Sequence, residues 1–216
     1  MRRYSTVTGP GEAEQTIERS RFITHVRPVE TREEADLFFE EIRKTYRDAT
    51  HNVPALVLGD KAQIQWASDD GEPQGTSGAP MVQYLAAEGL TNVALMVTRY
   101  FGGIKLGTGG LVRAYTSSAK IGVLAAGIGD VEEMAVFSFK IDYKAFNKVQ
   151  SHVFGAGTSG ADVRIENIQY TDVVCFDLVC DPDDAKAIRE ELDGVTAGAV
   201  QLMGECRRDV LVPRIE

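Results

Sequence analysis

Thr98-Arg99-Tyr100-Phe101-Gly102-Gly103-Ile104-Lys105-Leu106-Gly107-Thr108-Gly109-Gly110-Leu111-Val112-Arg113-Ala114-Tyr115 joins an apolar run to an amphipathic one. Upstream, residues 93–100 place Ala94, Leu95, Met96 and Val97 in succession, apolar on both faces, which predicts a central strand buried on both sides. Downstream, residues 110–126 read as a long helix. Arg113, Ser117 and Lys120 lie four and three apart and share one face of it, with Tyr115, Ser118 and Gly122 turned toward a sheet. A buried strand, a glycine loop and a helix in that order make the protein a mixture of α and β elements.

The loop itself is a candidate anion site. Five glycines fall between positions 102 and 110. Glycine accepts positive φ and lets another molecule approach the backbone, and a helix start offers unpaired amides at the positive end of its dipole. Arg99, Lys105, Arg113 and Lys120 add charge. Two familiar templates fail, however. Gly102 and Gly107 have P-loop separation, but Thr108 stands where the phosphate lysine belongs, and Gly107-x-Gly109 is followed by Val112 where a dinucleotide fingerprint needs its third glycine. A tight strand-to-helix turn, with the glycines serving packing alone, is the plainer alternative.

The surrounding charge is uneven, which points either to a partner or to a core helix and strand that simply lack acids. The chain carries a net charge of −9, which by itself argues against nucleic acid. Yet residues 89–129 hold four basic groups, Arg99, Lys105, Arg113 and Lys120, and no acid, whereas residues 1–88 and 130–216 are both acidic. Local asymmetry says more about partners than the total. With 216 residues, 44% of them hydrophobic and 25% charged, the composition is globular and long enough for two small domains. No apolar run has membrane-spanning length and the start, Met1-Arg2-Arg3-Tyr4-Ser5, has no apolar core, so a cytoplasmic protein is expected. Cys175, Cys180 and Cys206 form no C-x-x-C and lie in apolar stretches, and they read as buried reduced thiols.

Along the rest of the chain, residues 16–27 alternate Phe22, Thr24 and Val26 as a strand. Thr31-Arg32-Glu33-Glu34 is a capping box, and the helix after it aligns Ala35, Phe38, Phe39, Ile42 and Tyr46. Short strands follow at residues 53–58 and 63–67. A second helix starts near Ala79-Pro80 and ends at Gly89. The weak stretch 125–129 marks a boundary between domains 1–129 and 130–216. The second of these reads strand 131–141, helix 145–154, strands 163–169 and 173–179, helix 182–192 with Asp181 as its N-cap, and strand 199–206. That βαββαβ order is the ferredoxin-like arrangement. Between its first helix and next strand, Phe154 to Gly160 reads as a flexible connection without chemistry.

Asp69, Asp70 and Glu72 form a second candidate, since paired carboxylates can bind a divalent cation or act as acid and base. On residue types alone a solvated turn, with the aspartates bonding their own backbone, is the stronger reading. His25, His51 and His152 are scattered, and only His51 leads toward this loop. Thr76 or Ser77 reads as the cap of the following helix, with a second phosphate-facing loop as the alternative.

Two blocks taken together resemble the IMPACT family, whose bacterial branch is called YigZ. Asp69-Asp70-Gly71-Glu72-Pro73-Gln74-Gly75-Thr76-Ser77-Gly78-Ala79-Pro80 is similar to one signature of that family. Asn92 through Tyr115 is similar to the other, and Ser20-Arg21-Phe22-Ile23 fits the opening strand. The resemblance covers about residues 15–125. It implies an α+β architecture: an N-terminal domain like ribosomal protein S5 domain 2, then a ferredoxin-like domain similar to the last domain of elongation factor G. Eukaryotic relatives regulate translation through an additional N-terminal protein-binding domain that this sequence lacks, so that activity is not carried over. Relatives commonly have a cysteine after the family histidine (His51 here), where this chain has Val53, which disfavours a cysteine nucleophile.

The expected function is therefore a translation-associated binding protein. Arg99, Lys105, Arg113 and Lys120 would contact RNA or ribosomal phosphates, the loop carrying Gly102, Gly103, Gly107, Gly109 and Gly110 would approach the backbone, and Tyr100 or Phe101 would stack on a base. Asp69, Asp70, Glu72 and His51 form the acidic loop of the motif. The C-terminal domain would meet a protein partner or limit non-specific RNA binding. No catalytic residue, cofactor, metal or membrane is expected. One rival is a phosphate-ligand enzyme in which the loop cradles the ligand and the acids hold a metal; another is a pure protein-interaction module.

Overall fold

The computed structural model describes residues 2–154 and 163–214, where the chain is an α+β protein with two antiparallel sheets and five helices. It divides into two compact units, Arg3–Val131 with Leu211–Glu216, and Met1–Arg2 with Glu132–Val210. The connection expected from Gly155 to Gly160 lies outside the described residues.

The larger unit runs β1 (Arg2–Val7), β2 (Gly11–Ile17), β3 (Ser20–Pro28), α1 (Arg32–Thr45), β4 (His51–Leu58), β5 (Ile64–Ala67), α2 (Gly78–Ala87), β6 (Val93–Tyr100), α3 (Gly107–Ala126) and the start of β7 (Ile128–Ile141). Its sheet has the order β2-β3-β6-β4-β5, with β6 in the middle. The apolar run of β6 is thereby explained. Val93, Leu95 and Val97 join Val53, Ala55 and Val57 of β4 in a core closed by α2 and α3. Ala94 and Met96 face the other way, with Leu56 and Leu58, against Ala35, Phe38, Phe39 and Ile42 of α1. A strand covered by helices on both faces has no polar side to show.

The capping box forms as the sequence predicts: Thr31 Oγ1 accepts from the Glu34 amide at 3.2 Å, and the Glu34 carboxylate accepts from the Thr31 amide. On the opposite face α3 lies very close to the sheet. A Cβ built on Gly122 would stand 2.4 Å from Thr24 Cγ2, so the helix can settle only with glycine there. Gln15 Nε2 donates to Ser117 and Ser118 of α3, and Thr24 Oγ1 donates to the Ser118 carbonyl. Tyr115 and Ser118 are buried, as the helical spacing predicts.

One strand expected over residues 16–27 is instead a hairpin, β2 paired antiparallel with β3. The turn is Glu18-Arg19, both at positive φ (46° and 64°). Such two-residue turns normally carry Asn-Gly or Asp-Gly, and Glu-Arg gives no such signal.

The smaller unit continues from β7 through α4 (Tyr143–Phe154), β8 (Arg164–Tyr170), β9 (Val174–Cys180), α5 (Ala185–Thr196) and β10 (Gln201–Pro213). Within it β9 pairs antiparallel with both β7 and β8, and β10 pairs with β7. Phe137, Phe139 and Ile141 of β7 pack with Phe146, Val149, Ile188 and Leu192 of the two helices. Asp181 is not the N-cap of α5. Residues 181–184 form a turn closed by the Asp184 amide on the Asp181 carbonyl, and the helix begins at Ala185. The cysteines are all free, but only Cys180 is buried; Cys175 is half-buried and Cys206 exposed. Cys206 lies on β10, whose side chains are mostly exposed over Gln201–Arg207.

Candidate functional site

The motif residues gather at one end of the β6–β4 pair, on the face carrying α2 and α3. The acidic loop there is a largely exposed turn in which Asp69 bonds the backbone, as its residue types suggest, but Glu72 is buried. Asp69 is the hub of the turn ahead of α2: Oδ1 accepts from Gly78 N at 3.0 Å, from Ser77 N at 3.2 Å and from Ser77 Oγ at 2.7 Å, while Oδ2 accepts from Gly75 N at 2.7 Å. Neither Thr76 nor Ser77 caps the helix with its own side chain. Thr76 Oγ1 turns back to the Pro73 carbonyl, and a carboxylate nine residues before Gly78 takes the cap role. Burial alone raises the Asp69 pKa, but these donors outweigh it and hold the carboxyl below the usual aspartate range. Asp70, at φ 46°, accepts from Asn52 N through Oδ2 at 2.6 Å.

Glu72 goes inward. It is 8% exposed, and its Oε1 accepts from Arg99 Nη1 at 2.6 Å and from Tyr115 Oη at 2.8 Å. Arg99 is 4% exposed and donates through Nη2 to Ser20 Oγ at 3.2 Å, with its guanidinium 5.4 Å and 5.5 Å from the ring centres of Phe22 and Phe101. Arg99 is therefore not an open phosphate contact, and the four basic residues of 89–129 do not make one exposed face. The physical reason lies in the strand: alternation puts Arg99 on the same side as Val97 and Leu95, under the helices, where a charge is tolerated only when paired. Burial and the adjacent Glu72 carboxylate together push the Tyr115 hydroxyl pKa far up.

His51 completes the cluster. It sits opposite Arg99 in the β4–β6 register, and its Nδ1 lies 2.7 Å from the Asp70 carbonyl oxygen. A carbonyl only accepts, so Nδ1 carries the proton and Nε2 presents a lone pair in the neutral ring. Nε2 is 3.8 Å from Glu72 Oε1, too far for a hydrogen bond.

Beyond Arg99 the chain leaves the core. Tyr100 is half-buried and its hydroxyl donates to Asp48, whereas Phe101 is 46% exposed. Gly102 is pressed against the β2–β3 turn: a Cβ there would stand 1.9 Å from the Arg19 carbonyl oxygen. Gly103 and Gly107 have φ of +87° and +70°. Lys105, Gly107, Gly109, Arg113 and Lys120 are exposed and Gly110 is half-buried. The helix starts at Gly107, three residues earlier than its apolar pattern suggests, with Leu106 as an N-cap that supplies no side-chain bond and no acid in the first turn. Its first amides are thus uncapped by any side chain at a surface carrying Lys105 and Arg113.

The two helix starts differ sharply: Asp69 closes the N-terminus of α2, while that of α3 stays open. A cavity of about 350 Å³ beside Asp69 is lined by Trp66, Ala67, Gly78 and Val82, and it includes no residue of the glycine loop. Reading the sequence alone overlooked Tyr115, Ser20 and Asn52. Their signal was available in principle, since an arginine inside a buried strand requires acceptors and a tyrosine on a helix face otherwise lined by Ser118, Ala119 and Gly122 requires a hydroxyl partner.

Two similarities decide the relationship. Residues 18–123 match the model of the Impact N-terminal domain, and the chain is 38% identical over 195 residues to IMPACT family member YvyE of Bacillus subtilis, covering 90% of this chain and 88% of the relative. The chain belongs to the IMPACT family. It is also similar to the family member YigZ of Escherichia coli, at 42% identity over 117 residues, 53% of this chain and 57% of that one. A crystal structure of a hypothetical protein superposes with a TM-score of 0.58 at 29% identity, covering 94% of this chain and 97% of its own. Both IMPACT signature blocks lie inside the matched region, and the cluster of Glu72, Arg99 and Tyr115 joins them.

No helix among the described residues is long and apolar enough to cross a membrane.

Proposed function

We propose that this IMPACT family chain binds RNA, as ribosomes present it, through the uncapped N-terminus of α3 and the exposed cations around it. In this reading residues 1–129 are an S5 domain 2-like domain, and residues 130–216 are a ferredoxin-like domain that meets a protein partner. Translation is the setting and the cytoplasm the compartment. The observation that carries the proposal is the open start of α3. Exposed glycines leave its first amides approachable, no acid lies in the first turn, and Lys105 and Arg113 flank it. Backbone amides at a helix start, with nearby basic side chains, recognise phosphate without reading sequence. Phe101, exposed beside the loop, offers a ring on which a base stacks. Arg99 has a different task, holding the floor of this surface in place through Glu72.

A phosphate-ligand enzyme is less well supported, because its proposed metal ligands are already engaged. Asp69 accepts four bonds from the α2 turn, Asp70 one from Asn52, and Glu72 is held by Arg99 and Tyr115.

The test is binding to ribosomes and to structured RNA across a salt series, for the native chain and for a variant with Lys105→Ala, Arg113→Ala and Lys120→Ala. Affinity of the native chain should fall steeply with salt, and each lost phosphate contact should lower the log–log slope by roughly 0.7 to 0.9. Binding indifferent to salt, or unchanged in the triple variant, overturns the proposal.

A further inference from the structure

β10 is an open sheet edge. It is 13 residues long, and among the described residues it pairs only with β7. Residues 201–210 and 132–141 belong to one compact unit, so this edge is a property of that unit alone. Side chains over 201–207 are exposed apart from the half-buried Gly204 position, with Met203 60% accessible. On the helix side a cavity of about 390 Å³ between the strand and α5 is lined by Phe137, Ala185, Arg189 and Glu205, so the helix leaves this strand uncovered. A sheet edge offers unpaired backbone donors and acceptors to another strand, and natural edges are blunted by shortness, lysine or proline. β10 has no lysine and reaches its first proline at Pro213.

The charges along the strand select its occupant. Glu205 and Arg207 flank Cys206 and share the face toward α5, where Arg189 Nη1 lies 3.5 Å from Glu205 and Glu133 of β7 accepts from Arg207 at 2.8 Å. Antiparallel neighbours put directly opposite residues on one face, so two copies of a strand related by a two-fold axis must set some residue opposite itself. With Cys206 at the axis, each Glu205 faces the other copy's Arg207, and each Leu202 faces the other copy's Val210. Moving the axis to Glu205, Arg207 or Arg208 sets like charges against each other, and moving it to Gly204 leaves Glu205 and Arg207 without an opposite charge. The two side chains keep 55% and 66% of their surface accessible, so each has room for a second partner beside the one in its own chain. Arg189 and Glu205 of one copy then continue into Arg207 and Glu133 of the other with alternating sign.

We infer that β10 is a self-association edge, to which a second copy of this chain adds its own β10 antiparallel with the two-fold axis at Cys206. Two sheets thereby become one. The inference goes beyond the RNA reading and stands independently of it.

The test is sedimentation of the full chain over the micromolar range with a thiol reductant present, where monomer should give way to dimer as concentration rises. Opposite Cα atoms of an antiparallel pair stand about 4.5 or 5.5 Å apart, inside the roughly 4.4–6.8 Å range of disulfides, so diamide should link the dimer through the exposed Cys206. Cys206→Ser should lose the cross-link and keep the dimer. Arg207→Glu alone and Glu205→Arg alone each set like charges opposite one another and should self-associate roughly tenfold more weakly. An equimolar mixture of those two variants restores opposite charges across the strands and should pair as the native chain does. Any effect within one chain is the same in the mixture as in each variant alone, so recovery reports the contact between strands. A native chain that stays monomeric overturns the inference. So does a dimer that diamide fails to link through Cys206, or a mixture that associates no more tightly than its components. Each of these results leaves the phosphate surface of α3 to its own test.

Discussion

Tyr115 donates its hydroxyl to Glu72 Oε1 at 2.8 Å, linking the middle of α3 to a loop 43 residues earlier in the chain. The same oxygen receives Arg99 Nη1, so a helix, a central strand and the loop before α2 meet on one atom. Removing one partner leaves the others buried with unmet charge. Glu72→Leu should destabilise the fold by about 3–5 kcal/mol, because Arg99 keeps its charge without its counter-ion. Combining Glu72→Leu with Arg99→Met should recover much of that loss. Urea unfolding of the two single variants and the double variant measures the coupling, and strictly additive losses count against it.

A second expectation concerns alkali. Burial and the carboxylate raise the Tyr115 pKa far above the ordinary value, and burial followed by Glu88 pushes Tyr84 up to about 12. A raised folded-state pKa means the unfolded chain loses its proton first. The stabilisation is complete below about pH 10, the ordinary tyrosine value, and is lost as the pH climbs toward the raised folded values. Ultraviolet titration should show these two phenols ionising only with unfolding, and Tyr115→Phe should flatten the alkaline loss of stability.

Asp69 gives the opposite slope in acid. Its folded pKa is lowered by the amides of Gly75, Ser77 and Gly78 and the Ser77 hydroxyl, against the effect of burial. Its contribution is fully present above about pH 4 and is lost as the pH falls through the lower folded value. Asp69→Asn should cost about 1 kcal/mol at neutral pH, as loss of a helix cap does, and should shrink the difference in stability between pH 7 and pH 3. Denaturant melts at the two pH values read this directly.

The glycines of the loop should respond unequally. Gly102→Ala requires a backbone to move, since its Cβ would stand 1.9 Å from the Arg19 carbonyl oxygen. Gly109 has open space and lies within α3, its nearest neighbour being Arg113 Nη1 at 3.6 Å. Thermal melts should place Gly102→Ala well below the native chain and Gly109→Ala up to about 1 kcal/mol above it. Equal behaviour would mean that the loop does not rest on the hairpin turn.

Much of the fold was legible because it follows from periodicity. The apolar run of β6, the capping box at Thr31 and the inward face of Tyr115, Ser118 and Gly122 depend only on which neighbours share a face. The hairpin was not legible, since Glu18-Arg19 holds positive φ without the residues that announce such a turn. Arg99 was misjudged for a related reason. A charge count along the chain grouped it with Lys105, Arg113 and Lys120, while the two-residue period of β6 had already assigned it to the interior with Val97. The acidic loop was read by residue type, which suits Asp69 and its local amides, but Asp70 goes to Asn52 of β4 and Glu72 to Arg99 of β6 and Tyr115 of α3, partners that come near only when the sheet and α3 are assembled.

The order β2-β3-β6-β4-β5 also bears on how the chain is made. β3 and β4 each pair with β6 and not with each other, so the first half of the sheet has no centre until residues 93–100 have been synthesised. While it leaves the ribosome, the nascent chain carries two hairpins, β2–β3 and β4–β5, whose inner edges wait for a strand still to come. Those edges are long, apolar and ready to pair with other chains during that interval. Slowing translation before residues 93–100 have emerged from the ribosome should therefore lengthen the aggregation-prone window, whereas slowing it once α3 has emerged to cover the sheet should not.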